Sequence, residues 1–266
     1  MRIISLLFFE GMKLYADYEH ASISMVIDEA FREVLSRIIR EHRIQYFFES
    51  GTFNGLGSTT LISETIQNIG IENPVFYTLE RDPYYYGQAC ENLKKFPFVK
   101  VCNGLSVDEK EAVIFLQNDD FLSNHQRYPD IYIDNLENPR QFYLDEISGN
   151  LSKNNTDTRN GGLFSSFISL FSKKKTGAEQ QYLIVSILEG MRTKKPLILL
   201  DSAGGIGYLE FSKVREAMGS NPYFIILDDT HHIKHWRSRR DVLSDNRFSV
   251  IHDDTTHGRI IASWLI

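Results

Sequence analysis

Apolar residues recur with two different periods along this chain. Over residues 24–42, Ile27, Ala30, Phe31, Val34, Leu35, Ile38 and Ile39 return at spacings of three and four, which predicts an amphipathic helix. Short apolar runs follow at 44–48, 75–80 and 98–102, with helical stretches at 59–69 and 83–95 between them. Asp82 can cap the second of these and Pro83 can open it. Strand alternating with helix is the rhythm that builds a parallel sheet. From about residue 109 the rhythm breaks. A strand is expected at 128–133, but 119–177 as a whole is rich in acids, asparagines and turn residues, with a loop at 150–162. Phe164, Phe167, Leu170 and Phe171 share a helical face before Lys173, Lys174 and Lys175, which suits a surface helix or a lid. The alternation resumes with a helix at 181–192, a strand at 196–201, a helix at 208–218 and a strand at 222–229. A hairpin of 247–252 and 259–265 closes the chain.

The pattern therefore predicts a helical segment at 1–42 and one α/β domain at 43–266, with a Rossmann-like doubly wound sheet and an insertion at about 119–177. At 266 residues, 42% hydrophobic and 24% charged, the chain can bury a full core. A net charge of −6 argues against a nucleic-acid partner and leaves a small molecule as the expected ligand. Cys90 and Cys102 form neither a metal spacing nor a disulfide framework, which fits a reducing cytoplasm. The apolar start at residues 3–9 is interrupted by Glu10 with no small-residue cleavage site after it, unlike a signal peptide. No apolar stretch reaches the ~20 residues of a membrane span. Homo-oligomerisation is left open.

Chemistry gathers where strands end. The run Glu49-Ser50-Gly51-Thr52-Phe53-Asn54-Gly55-Leu56-Gly57-Ser58 lies where the first strand turns into a helix, the place where doubly wound proteins hold nucleotide-like ligands. Its glycines let the backbone turn sharply and approach a ligand closely, although a strand-end acid such as Glu49 can also simply cap local amides. Glu80, Asp201 and the pair Asp228-Asp229 end three further strands, so four acidic positions converge on one rim of a parallel sheet.

In this arrangement the chain resembles the class I methyltransferases that use S-adenosylmethionine, over about residues 43–266 apart from the insertion. The 49–58 run is similar to their first motif. Glu80, 23 residues beyond Gly57, sits near the ~20 expected of the acid that binds ribose hydroxyls. The resemblance implies a seven-stranded sheet ending in an antiparallel strand, with cofactor contacts at Glu49, Gly51, Thr52, Phe53, Gly55, Ser58 and Asp201. It also implies adenine contacts at Gly104, Leu105 and Ser106. A finer resemblance, to metal-dependent O-methyltransferases acting on small molecules, implies that Asp201, Asp228 and Asp229 hold Mg²⁺, which would lower the pKa of an acceptor hydroxyl. The chain departs from the catechol-type pattern in lacking a lysine three residues after Asp201. His231 or His232, or Asp228, is then the candidate base or catalytic group. The same run also reads as a helix N-cap followed by a solvated face of Lys234, His235, Arg237 and Arg239. A nicotinamide-dependent oxidoreductase and a non-catalytic methyltransferase-like scaffold are the alternative functions.

Overall fold

The computed structural model describes Met25 and residues 28–128, 130–148, 183–202 and 204–266. Among them, seven strands form one sheet: β1 (Tyr46–Ser50), β2 (Val75–Glu80), β3 (Val99–Asn103), β4 (Leu197–Leu200), β5 (Tyr223–Leu227), β6 (Phe248–Asp254) and β7 (Arg259–Trp264). Their spatial order is β3-β2-β1-β4-β5-β7-β6. The first five are parallel, and β7 runs antiparallel between β5 and β6. This is the doubly wound, Rossmann-like sheet expected from the sequence, with its antiparallel end. The order reverses between β1 and β4, so the ligand-binding crevice of such a sheet opens there.

Alternation along the strands feeds two cores. On one face, α1 (Glu29–His42) and α2 (Ser58–Ile69) bury Phe31, Leu35, Ile38, Leu61 and Ile62 against Phe47, Phe76 and Leu199. On the other, α7 (Leu183–Met191) and α8 (Gly207–Met218) pack Ile184, Leu188, Phe211 and Val214 against Phe48, Ile198 and Ile225. Asp28 caps α1 by accepting from the Phe31 N–H at 3.0 Å, which sets the helix start after residue 28. Asp82 caps α3 (Pro83–Asn92) in the same way.

The region after β3 differs most from expectation. Residues 109–118 do not break the rhythm: Asp108 caps a helix, α4 (Glu109–Asn118). The described residues of 128–133 form no strand. Their one ladder-type pairing is an isolated bridge between Tyr132 and His232, because no neighbouring strand continues the ladder there. A short helix, α5 (Asp120–Ser123), and a longer one, α6 (Pro139–Ile147), fold instead onto α4 and the start of α8. They share a third core of Leu116, Phe121, Ile133, Tyr143, Ile206 and Ile233. The expected loop at 150–162, the aromatic helical face at 164–171 and the lysines at 173–175 lie outside the described residues. No described helix is long and apolar enough to cross a membrane.

Candidate functional site

The register of the parallel strands aligns the chemistry. Ser50, Leu79, Leu200 and Leu227 end their ladders at one level. The ladder continues one residue further: Gly51 N donates to Leu79 O (3.1 Å), Asp201 N to Ser50 O (3.0 Å) and Asp228 N to Leu200 O (3.3 Å). Gly51, Glu80, Asp201 and Asp228 thus form a row along the rim, contributed by four different strands.

At the switch point Gly51 adopts φ +95°, and a Cβ there would lie 2.3 Å from the Asp201 carbonyl oxygen. Glycine is required by chain crossing chain. Phe53 is also left-handed, at φ +51°. Its N–H donates to Glu80 Oε2 (2.8 Å) while Asp82 N–H donates to Oε1 (2.7 Å), with the Arg81 N–H a third backbone donor, so Glu80 locks the loop. Burial raises the Glu80 pKa above the usual carboxylate range against these donors.

Period-two alternation sends Glu49 and Ser50 to opposite faces. Glu49 is fully buried under α2 and accepts from the hydroxyls of Ser58 (2.5 Å), Thr59 (2.5 Å) and Thr78 (2.6 Å). Burial outweighs those three bonds and raises its pKa. The Thr52 hydroxyl pairs with that of Thr78, and Gly55 packs against Leu93. Ser50 and Ser202 both donate to Glu210 Oε2 on α8. Ser106 joins this group through its side chain, and Gly104 N donates to Glu80 O at 3.1 Å. Gly104 therefore stands beside Glu80 at the β3 end of the rim, while Ser106 turns to Glu210.

The structure brings the other three acids together. One oxygen each of Asp201, Asp228 and Asp229 lies within 4.8 Å of the others. Between two of them stands a residue that the sequence pattern assigned to a solvated face. Lys234 is buried, with Nζ 3.0 Å from Asp201 Oδ1 and 2.7 Å from Asp229 Oδ2. The three carboxylates outweigh burial and raise its pKa. Asp229, with φ +53°, is held below the ordinary carboxylate range because Lys234 outweighs its burial. Asp201 rises to about 6, chiefly through burial. Asp228 rises to about 7 through burial and then its acidic neighbours, although Arg259 Nε bonds its Oδ1 at 3.0 Å. Arg259 Nη1 reaches on to Asp28 Oδ2 at 2.8 Å, joining the rim to the cap of α1.

The two candidate histidines part company. His231 turns to the β6–β7 hairpin, its Nε2 2.6 Å from Thr255 O. His232 faces α6, with Nε2 3.0 Å from Asp134 Oδ2 and Nδ1 accepting from the Lys234 N–H at 3.2 Å, a pattern that fits the Nε2–H tautomer. Tyr143 donates to the same Asp134 oxygen at 2.9 Å. Burial opposes ionisation of Asp134, but these two partners bring its pKa below the usual value. His235 is buried, which drives its pKa well down and keeps it neutral. Glu146, also on α6, overhangs Gly204 at the β4 turn, where a Cβ would lie 2.4 Å from its Oε2. Asp134, Tyr143, Glu146 and Lys234 were all missed by sequence reading. The first three approach the rim only through the third core, whose pattern carries neither period cleanly.

No family model matches the chain, and no curated protein is similar to it. Solved structures are. An O-methyltransferase from Bacillus cereus in complex with SAH is 12% identical, with a TM-score of 0.46 over 95% of this chain and 88% of its own. The O-methyltransferase TomG from Streptomyces achromogenes, involved in tomaymycin synthesis and in complex with SAM, is 10% identical, with a TM-score of 0.44 over 90% and 81%. Cofactor-bound Rv0187 from MTB is 12% identical, with a TM-score of 0.48 over 94% and 87%. At these values the functional reading rests on the site itself.

Proposed function

We propose that this chain is an S-adenosylmethionine-dependent methyltransferase acting on a hydroxyl oxygen of a small molecule, such as a sugar or a secondary metabolite. The observation that carries the reading is the loop of Gly51 to Gly57, folded over the switch point and latched by Phe53 N–H to Glu80. It supports a cofactor with ribose on Glu80, the base beside Gly104, Leu105 and Ser106, and the amino acid end along Gly51, Thr52, Phe53, Gly55 and Asp201. Glu49 and Ser58 act from beneath, holding the loop in shape.

S-adenosylmethionine bound there would supply an electrophilic methyl carbon. The protein's part is to hold an acceptor oxygen in line with it and to take the hydroxyl proton. Asp228 is the best-suited proton acceptor of the row, since a carboxyl near 7 is partly ionised at neutral pH and basic enough to matter. His232 serves instead to orient Asp134, because both its ring nitrogens are engaged. Mg²⁺ would find oxygen donors of the right kind in Asp201, Asp228 and Asp229, but the Lys234 ammonium already bonds two of them, so no step is routed through a metal. Two free cysteines suit a cytoplasmic setting.

Calorimetric titration with S-adenosylhomocysteine and with NAD tests the proposal. Binding of the former in the micromolar range, weakened at least about tenfold by Glu80→Ala, is expected from the loss of paired hydrogen bonds. Absence of binding at millimolar concentration, or preference for NAD, would sink it.

A further inference from the structure

The charge arithmetic of the rim leads beyond this reading. Asp201, Asp228 and Asp229 crowd three carboxyl groups together, and a cluster of that kind needs cations. Two are built in: Lys234 between Asp201 and Asp229, and Arg259 on Asp228.

We propose that Lys234 is the resident cation of this site, a covalently tethered ammonium standing in the seat where a divalent metal would otherwise sit. Methyl transfer would then proceed without one, a clause that rests on the function proposed above. Geometry argues that Lys234 is fixed there. Its side chain is 6% exposed. Its own N–H donates to His232 Nδ1, and the preceding Ile233 N–H donates to Tyr132 O at 3.0 Å. Its carbonyl is pressed on the start of α8, where a Cβ on Gly207 would come within 2.5 Å of it. The absence of a side chain at Gly207 is what admits the Lys234 backbone. These contacts hold the Lys234 backbone beside the acids, and swinging the ammonium out would leave two carboxylates facing each other.

A divalent ion added between Asp201 and Asp229 would set its two charges directly against the Lys234 ammonium, which lies 3.0 and 2.7 Å from those carboxylates. It would also need oxygens at about 2.0–2.1 Å from carboxylates already engaged by an ammonium.

The full-length protein can be titrated with Mn²⁺, following the free ion by its paramagnetic resonance, as wild type, Asp229→Asn and Lys234→Met. Wild type is expected to take up no Mn²⁺ that depends on Asp229, while Lys234→Met gains one ion per chain, bound at least about tenfold more tightly than any wild-type uptake and lost again when Asp229→Asn is added. Should Lys234→Met fold only with Mn²⁺ present, that rescue is the same result in another form; should it not fold at all, Lys234→Gln replaces it. Wild-type uptake of one ion that Asp229→Asn abolishes would overturn the proposal. Uptake by neither wild type nor the lysine variant would overturn it too, by showing that the acids are no cation seat. S-adenosylhomocysteine binding, measured alongside, reports on the methyltransferase reading separately.

Discussion

A single carboxyl group illustrates how burial without a partner shapes this protein. Glu146 has one oxygen, Oε2, buried with no hydrogen-bond partner among the described residues. Burial and then Asp134 push its pKa up to about 7, against Arg81 and Lys234. The folded state therefore holds its proton more tightly than the unfolded chain does. Its contribution to stability is full below the ordinary glutamate pKa and is lost as pH rises towards 7. Glu146→Gln, which cannot ionise, should be the more stable protein at pH about 8, by on the order of 1–3 kcal/mol, with the difference vanishing near pH about 4. Thermal midpoints measured across that range check this; equal midpoints at high pH would refute it. Gly51 makes a contrasting case. Alanine there meets both a left-handed φ and the Asp201 carbonyl, so Gly51→Ala should cost at least about 2 kcal/mol in urea unfolding. Glu49, Gly51, Glu80, Asp201, Asp228 and Asp229 could all be named from sequence, because strand ends are marked by where apolar runs stop. Lys234 could not. In a polar run a lysine that returns to the rim looks the same as one that faces water.

Among the elements, α9 (Trp236–Ser244) shows how the region after β3 is tied down. Arg237 on its first turn forms a two-pronged bond with buried Asp119, at 2.9 and 2.6 Å, while its guanidinium lies 4.5 Å from the Tyr208 ring and 4.8 Å from that of Phe121. The same Asp119 accepts from Phe121 N–H and so caps α5. Arg237→Ala strands a buried carboxylate and should lower stability by about 3–5 kcal/mol. Arg237→Lys keeps the charge but not the fork and should lose less. Denaturant midpoints for the two variants rank the charge against the geometry. A loss within experimental error for Arg237→Ala would mean that α4, α5 and α6 hold together by apolar packing alone. The sequence pattern presents this region as an interruption because its helices are short and their apolar faces point into a private core shared with Ile206 and Ile233, not into the sheet.

At the scale of the whole molecule, the doubly wound sheet and its antiparallel end were legible, since β4 and β5 are continuous apolar runs buried on both faces and β1 and β2 are mostly apolar. What periodicity could not convey was which side chains meet across the rim. Asp134 and His232, 98 positions apart, are neighbours only because Tyr132 bridges to His232. The pairing of Arg259 with both Asp228 and Asp28 is of the same kind, and it reaches furthest. One guanidinium links the cap of the first helix to an acid of the proposed active site, so whatever engages Asp228 can be sensed from the opposite end of the chain. The Phe31 amide, which donates to Asp28, becomes a natural reporter: its hydrogen exchange should slow when S-adenosylhomocysteine and an acceptor fill the rim, and Arg259→Met should abolish that response.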